Sequence, residues 1–91
     1  MADVSTTTTV QVTVRFFAAA RAAAGTETET LVVAAGTTVQ ALVDEVASRS
    51  AELERVLARC SYLCDGVAVR DTGAALLNAQ TLDVLPPFAG G

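Results

Sequence analysis

Val10-Gln11-Val12-Thr13-Val14-Arg15-Phe16-Phe17 alternates apolar and polar residues as far as Phe16, then repeats an aromatic ring where a polar residue is due. A period of two places Val10, Val12, Val14 and Phe16 on one face of a half-buried strand and Gln11, Thr13 and Arg15 on the other. Phe17 therefore falls on the polar face.

Ala18–Ala24 are strong helix formers that stop at Gly25, a natural residue for the left-handed end of a helix. Two turns are too short to stand without tertiary support, so a short connecting helix is expected. Residues 28–33 are rich in β-branched side chains and read as a second strand, but Leu31-Val32-Val33 leaves its register open. After Gly36, Thr37 and Gln40 have capping-box spacing, and Val39, Leu42, Val43 and Val46 repeat at helical intervals. The main helix is expected to run to about Arg49.

Ser50 can cap a second helical segment with Leu53, Val56 and Leu57 on one side and Glu52, Glu54 and Arg55 in water. An irregular packed loop fits the same residues. Asp65-Gly66, between Ser61-Tyr62-Leu63-Cys64 and Val67-Ala68-Val69-Arg70, is a strong two-residue hairpin signal. Residues 71–80 form a connection punctuated by Gly73 and Asn78, and Thr81-Leu82-Asp83-Val84-Leu85 reads as a last strand. Strands interrupted by one substantial helix predict an α+β fold, a mixed sheet covered on one face by that helix. The expected division is a polar tail over 1–9, one domain over 10–85 and an extended tail over 86–91.

Ninety-one residues suit a single core. Histidine is absent, which removes the commonest general base and metal ligand and leaves no Ser-His or Cys-His pair. Self-contained hydrolytic or metal catalysis is not expected. The six basic residues are all Arg, and ten acidic ones bring the net charge to −4. No basic face is available for a phosphate backbone, so nucleic acid is not an expected partner. Complementary charge instead favours a cationic partner surface.

Apolar runs such as Leu31-Val32-Val33-Ala34-Ala35 fall far short of the about 20 residues of a membrane helix. The first nine residues lack the basic and apolar regions of a secretory signal, so a mobile tail on a cytosolic protein is expected. Cys60 and Cys64 cannot complete a zinc site without further ligands. On a strand their Cα atoms stand about 13 Å apart, beyond disulfide reach, whereas a helix would bring them within it. Small buried packing residues are the expected role.

The chain ends Pro86-Pro87-Phe88-Ala89-Gly90-Gly91. Two residues without side chains let a main chain pass through a channel too narrow for any Cβ, so a partner's active site could reach the terminal carboxylate. A frayed end or an engineered remnant fits the dipeptide alone equally well. In the wider context of Val14-Arg15-Phe16-Phe17-Ala18, Arg21 to Gly25, Thr38-Val39-Gln40-Ala41-Leu42 and the Pro86-to-Gly91 ending, residues 10–91 resemble the MoaD/ThiS family of ubiquitin-like sulfur carriers. The Phe16-Phe17 and Pro86-Pro87 pairs are most similar to the MoaD branch, the small subunits of molybdopterin synthase.

That resemblance implies a β-grasp fold and a terminal Gly91 that is adenylated, then converted to a thiocarboxylate, with Gly90 as the slim residue behind it. It implies no permanently bound cofactor, only transient AMP and sulfur at the Gly91 carboxyl. The implied partners are a MoaE-like large subunit, a MoeB-like adenylyltransferase related to ubiquitin-activating enzymes, and a sulfurtransferase. The implied role is a non-catalytic donor subunit in molybdenum cofactor biosynthesis. Phe17, Leu85 and Ala68, the last flanked by inward Val67 and Val69, then read as docking residues on the open face, leading into Pro86, Pro87, Phe88 and Ala89. Scattered surface residues would look the same. Two departures stand out: Ala79-Gln80 replaces a Gly-Asp pair before the last strand, and Phe88 replaces a smaller Val. Alternatives are a carrier for thiazole or cysteine synthesis, a protein modifier that joins Gly91 to a lysine, and a binding module with an inert tail.

Overall fold

The computed structural model describes residues 8–87. β1 (Thr9–Phe16), α1 (Ala18–Ala24), β2 (Thr28–Ala34), α2 (Val39–Ala47), α3 (Ala51–Leu57), β3 (Ser61–Cys64), β4 (Val67–Ala68) and β5 (Gln80–Leu85) follow in chain order. The strands form one sheet in the order β2-β1-β5-β3-β4. β1 and β5 run parallel at its centre, and the other neighbours are antiparallel. Thr9 is already in the sheet, and Thr8 accepts from the Ala35 N–H at 2.9 Å, so the ladder begins inside the stretch expected to be tail.

The alternation of β1 has the predicted consequence. Val12, Val14 and Phe16 are buried on the inner face beside Leu82 and Val84 of β5. Val39, Leu42, Val43 and Val46 cover them from α2, with Leu53 and Leu57 from α3, Ala20 from α1 and Leu76 from the long connection completing the core. β2 takes the register the sequence left open: Leu31 and Val33 turn inward against this core, while Val32 is exposed on the outer face.

Helix α2 starts one residue later than the capping-box spacing predicts. Thr38, not Thr37, is the cap, its hydroxyl accepting from Ala41 N–H at 3.0 Å, while Gln40 bonds forward to Asp44 at 2.8 Å. Thr37 is drawn instead into backbone pairing, its carbonyl accepting from Leu76 N–H at 2.8 Å. The helix also stops at Ala47, short of Arg49, because Ser48 closes the last turn by donating its hydroxyl to the Glu45 carbonyl at 2.6 Å. Arg49 then reaches across to Glu29 of β2 in a paired contact at 2.7 and 2.9 Å. The segment after Ser50 is helical, with Ser50 accepting from Leu53 N–H at 3.0 Å.

Asp65 and Gly66 both have positive φ, 50° and 83°, the mirror-image turn that suits strand twist. β4 beyond it is only two residues long, and Val67 is 69% exposed rather than inward. It lies on the sheet's last strand, outside the cover of the helices. Val69 does pack against the core, its N–H donating to Tyr62 at 2.9 Å. Before β5, Ala79 adopts φ 69°, so the turn keeps a left-handed residue even though it is not glycine. Asn78 accepts from Gln11 N–H at 2.9 Å and Gln80 from Leu77 N–H at 2.7 Å, which holds Ala79 in that conformation.

Candidate functional site: the open sheet face and the root of the tail

With α1, α2 and α3 all on the inner side, the outer side chains of the central strands meet solvent and each other among the described residues. Arg15 of β1 pairs in register with Asp83 of β5, Leu63 of β3 lies opposite Asp83, and Ala68 of β4 lies opposite Leu63. This row crosses the sheet at mid-height. One step towards the tail, Ser61 lies opposite Leu85. Phe17 extends the parallel ladder by donating its N–H to the Val84 carbonyl at 3.2 Å, which brings it alongside Leu85.

Phe17 is the last extended residue before α1, and Ala18, at φ 50°, turns the chain away from it. Its ring is therefore left on the open face, 38% exposed, while neighbouring Phe16 is 1% exposed. The ring thus lies on the polar side of β1, where the alternation puts it. Ala68 is exposed too, and Leu85 is half-buried between its neighbours. Pro86 cannot donate to the ladder and ends it, and Pro87 after it is exposed. Phe88, Ala89, Gly90 and Gly91 lie outside the described residues.

Two parts of the face escaped the sequence reading. Leu63 follows from the hairpin: a two-residue turn sets Leu63 opposite Ala68, so an outward Ala68 requires an outward Leu63. Arg15 and Asp83 were each legible as outer-face polar residues but not as a pair. Arg15 Nε and Nη2 donate to Asp83 Oδ1 and Oδ2 at 2.7 and 3.0 Å, a two-pronged match. The hydrogen bond to Asp83 holds the Arg15 guanidinium above its usual pKa. Its carbon also lies 5.4 Å from the centre of the Phe17 ring, within cation–π range.

Elsewhere the chemistry is quiet. A cleft of about 480 Å³ on the helical side, between α2, α3 and β3, is lined by Gln40, Asp44, Glu54, Cys60 and Tyr62 among others. Tyr62 donates its hydroxyl to Leu57 at 2.9 Å, and burial pushes its pKa up to about 12. Cys60 and Cys64 are free thiols, both pushed up by burial, so neither is a ready thiolate at neutral pH. Among the described residues, no cluster of three or more His, Cys, Asp or Glu forms a metal site, and no helix is long and apolar enough to cross a membrane.

A mixed sheet with parallel central strands, one main helix behind it and a last strand that ends beside an open apolar face defines the ubiquitin-like β-grasp class. The chain belongs to the ThiS family, whose model matches residues 14–91. Among solved structures it is similar to a Haloferax volcanii protein solved in solution, with 25% identity over 99% of this chain and 94% of that one and a TM-score of 0.83. Small archaeal modifier protein 1 of the same organism shares 26% identity over 89% and 99% of the two chains, with a TM-score of 0.76. The complex of subunits 1 and 2 of the molybdopterin-converting factor of Helicobacter pylori contains a chain with the same fold, 20% identical over 90% and 100%, with a TM-score of 0.66. No curated protein matches this sequence.

Proposed function

We propose that the chain is the sulfur-donor subunit of a molybdopterin synthase, and that Gly91 is the point at which sulfur is carried. What carries this reading is the apolar patch of Phe17, Leu85, Leu63 and Ala68 at the root of a family-matched tail that runs through Gly91. A partner that grips this patch receives the tail at a defined place, and Gly90 and Gly91 add no Cβ that would block a narrow tunnel. The small chain supplies the cargo. The partner supplies catalytic side chains, which fits a protein with neither histidine nor an activated thiol.

The chemistry begins at an ionised carboxylate, a poor electrophile. A MoeB-like adenylyltransferase has the Gly91 carboxylate attack the α-phosphorus of ATP, with pyrophosphate leaving. The terminal sulfur of a sulfurtransferase persulfide then attacks the acyl carbon and displaces AMP, and a thiol reduces the resulting acyl disulfide, forming a new disulfide and releasing the thiocarboxylate. The thiocarboxylate so formed is a soft nucleophile for cyclic pyranopterin monophosphate held by a MoaE-like large subunit. Nothing in this sequence of steps asks for a resident cofactor on the small chain.

Reconstitution with a large subunit tests the reading: thiocarboxylated chain is expected to yield dithiolene product, and a chain lacking Gly91 to yield none. Full product from the shortened chain would overturn it. The 26% identity to a small archaeal modifier protein favours a second reading, in which activated Gly91 is joined to a lysine of another protein. Lysine-linked adducts in the native cell would be its signature.

A further inference from the structure

The Arg15–Asp83 pair sits where an apolar docking face has least use for it. Asp83 is the one buried charged residue among those described, its side chain 10% exposed, whereas the Arg15 side chain is 49% exposed. An ion pair with one member half in water adds little to stability. It is nevertheless tightly built: both Asp83 oxygens are engaged, and the guanidinium carbon stands over the Phe17 ring, 5.4 Å from its centre. Arg15 Nη1 is left over, donating to no acceptor among the described residues.

Docking would strip water from that remaining edge. A flat apolar surface could match Phe17, Leu63 and Leu85 in shape and still leave a charged donor buried without a partner, which is costly. A surface with an oxygen at that point restores the bond. An uncharged oxygen fits better than a carboxylate, because Asp83 already neutralises the guanidinium and the chain carries a net charge of −4.

We propose that the Arg15–Asp83 pair is a specificity element of the docking face, admitting partners that set a carbonyl oxygen against Arg15 Nη1 and rejecting otherwise similar apolar surfaces. The inference rests on the docking reading above and narrows it. Arg15 and Asp83 act here as positioning residues, through the partner that the docking face selects. Discrimination of this kind works by penalising the wrong partner as much as by rewarding the right one.

The test compares wild type with the double variant Arg15→Leu/Asp83→Leu, which removes both charges together and leaves neither orphaned. Binding is measured to the molybdopterin synthase large subunit of the same cell. It is measured in parallel to a large subunit whose own small subunit carries aliphatic residues at the positions of Arg15 and Asp83. A melting curve verifies that the variant folds, and Arg15→Gln/Asp83→Asn, also without net charge, replaces it if it does not. The expected result is a reversal of preference: roughly tenfold or greater weakening towards the native large subunit, the scale of one lost hydrogen bond to a charged group, and tighter binding to the other. Equal changes towards both partners, or none, would overturn the specificity role while leaving the docking face intact. Wild type binding neither large subunit would instead remove the docking reading, and this inference with it.

Discussion

Phe16 and Phe17 are neighbours in sequence with the same side chain, and they belong to opposite regions of the molecule. On the inner face Phe16 is enclosed by α2, α3 and β5, where what counts is apolar volume. On the outer face Phe17 is half in water and its neighbours are set by pairing across strands: Leu85 beside it, Arg15 over its ring, and Asp83 next to Arg15. The same two strands thus make a core on one side and an arranged surface on the other. The inner face can be filled by many combinations of similar size, whereas the outer arrangement depends on particular residues meeting in register.

That contrast is broken most directly by deleting each ring. Phe16→Ala is expected to cost about 3–5 kcal/mol in chemical denaturation, enough to threaten folding outright. Phe17→Asp is expected to change stability by less than about 1 kcal/mol, as an exposed site should, yet to abolish binding to the large subunit. A large fall in stability for Phe17→Asp would place that ring in the core and erase the distinction.

The edge of the inner region is sharpened by Tyr62, the only tyrosine in the chain. Ultraviolet absorbance titration should show its hydroxyl ionising near pH 12 in the folded protein and near 10 after denaturation. A group held neutral by burial contributes stability that is fully present below its unfolded pKa and is lost as pH rises through the folded value. After allowance for its partial exposure, about 1 kcal/mol should therefore disappear above pH 10. A folded midpoint near 10 would mean that the packing of β3 against α3 is open to water.

A smaller effect of opposite sign tests the turn that feeds β5 into both faces. Ala79 is held at a φ that suits glycine, so Ala79→Gly should raise stability by roughly 0.5–1 kcal/mol, with the relief partly offset by the looser unfolded chain. No gain, or a loss, would mean that the Asn78 and Gln80 contacts hold the turn without strain. The least effect is expected at the rim. Arg49→Gln should cost about 0.3–0.5 kcal/mol in thermal melts at neutral pH. The hydrogen bond from Arg49 holds Glu29 below its usual 4.5, so this contribution is present above that pH and fades as pH falls through the folded value. An unchanged acid limb in the variant would remove the pair from the stability account.

Much of the inner region was legible because its signals are local. Alternation in β1, the helical spacing of Val39, Leu42, Val43 and Val46, the Ala18–Ala24 helix ending at Gly25, and the Asp65-Gly66 turn each lie within a few residues. The errors arose where a local signal was nearly degenerate. Thr37 and Thr38 are equal as caps, and the choice falls to tertiary pairing: Thr38 bridges Ala75, and Val39 N–H donates to Ala74 at 3.1 Å. Val67 fits an inward strand residue by alternation, but alternation says nothing about whether a helix lies beneath. The Arg15–Asp83 contact spans 68 positions and depends on the parallel register of β1 and β5, which no local pattern encodes.

The central claim, that Gly91 carries sulfur, is tested most directly by the intact mass of the protein made in its native cell, with its activating enzyme and a sulfur source present. The expected spectrum contains a species heavier by the exchange of one oxygen for sulfur, with fragmentation assigning the exchange to Gly91. A chain found only as the free carboxylate under those conditions would contradict the claim.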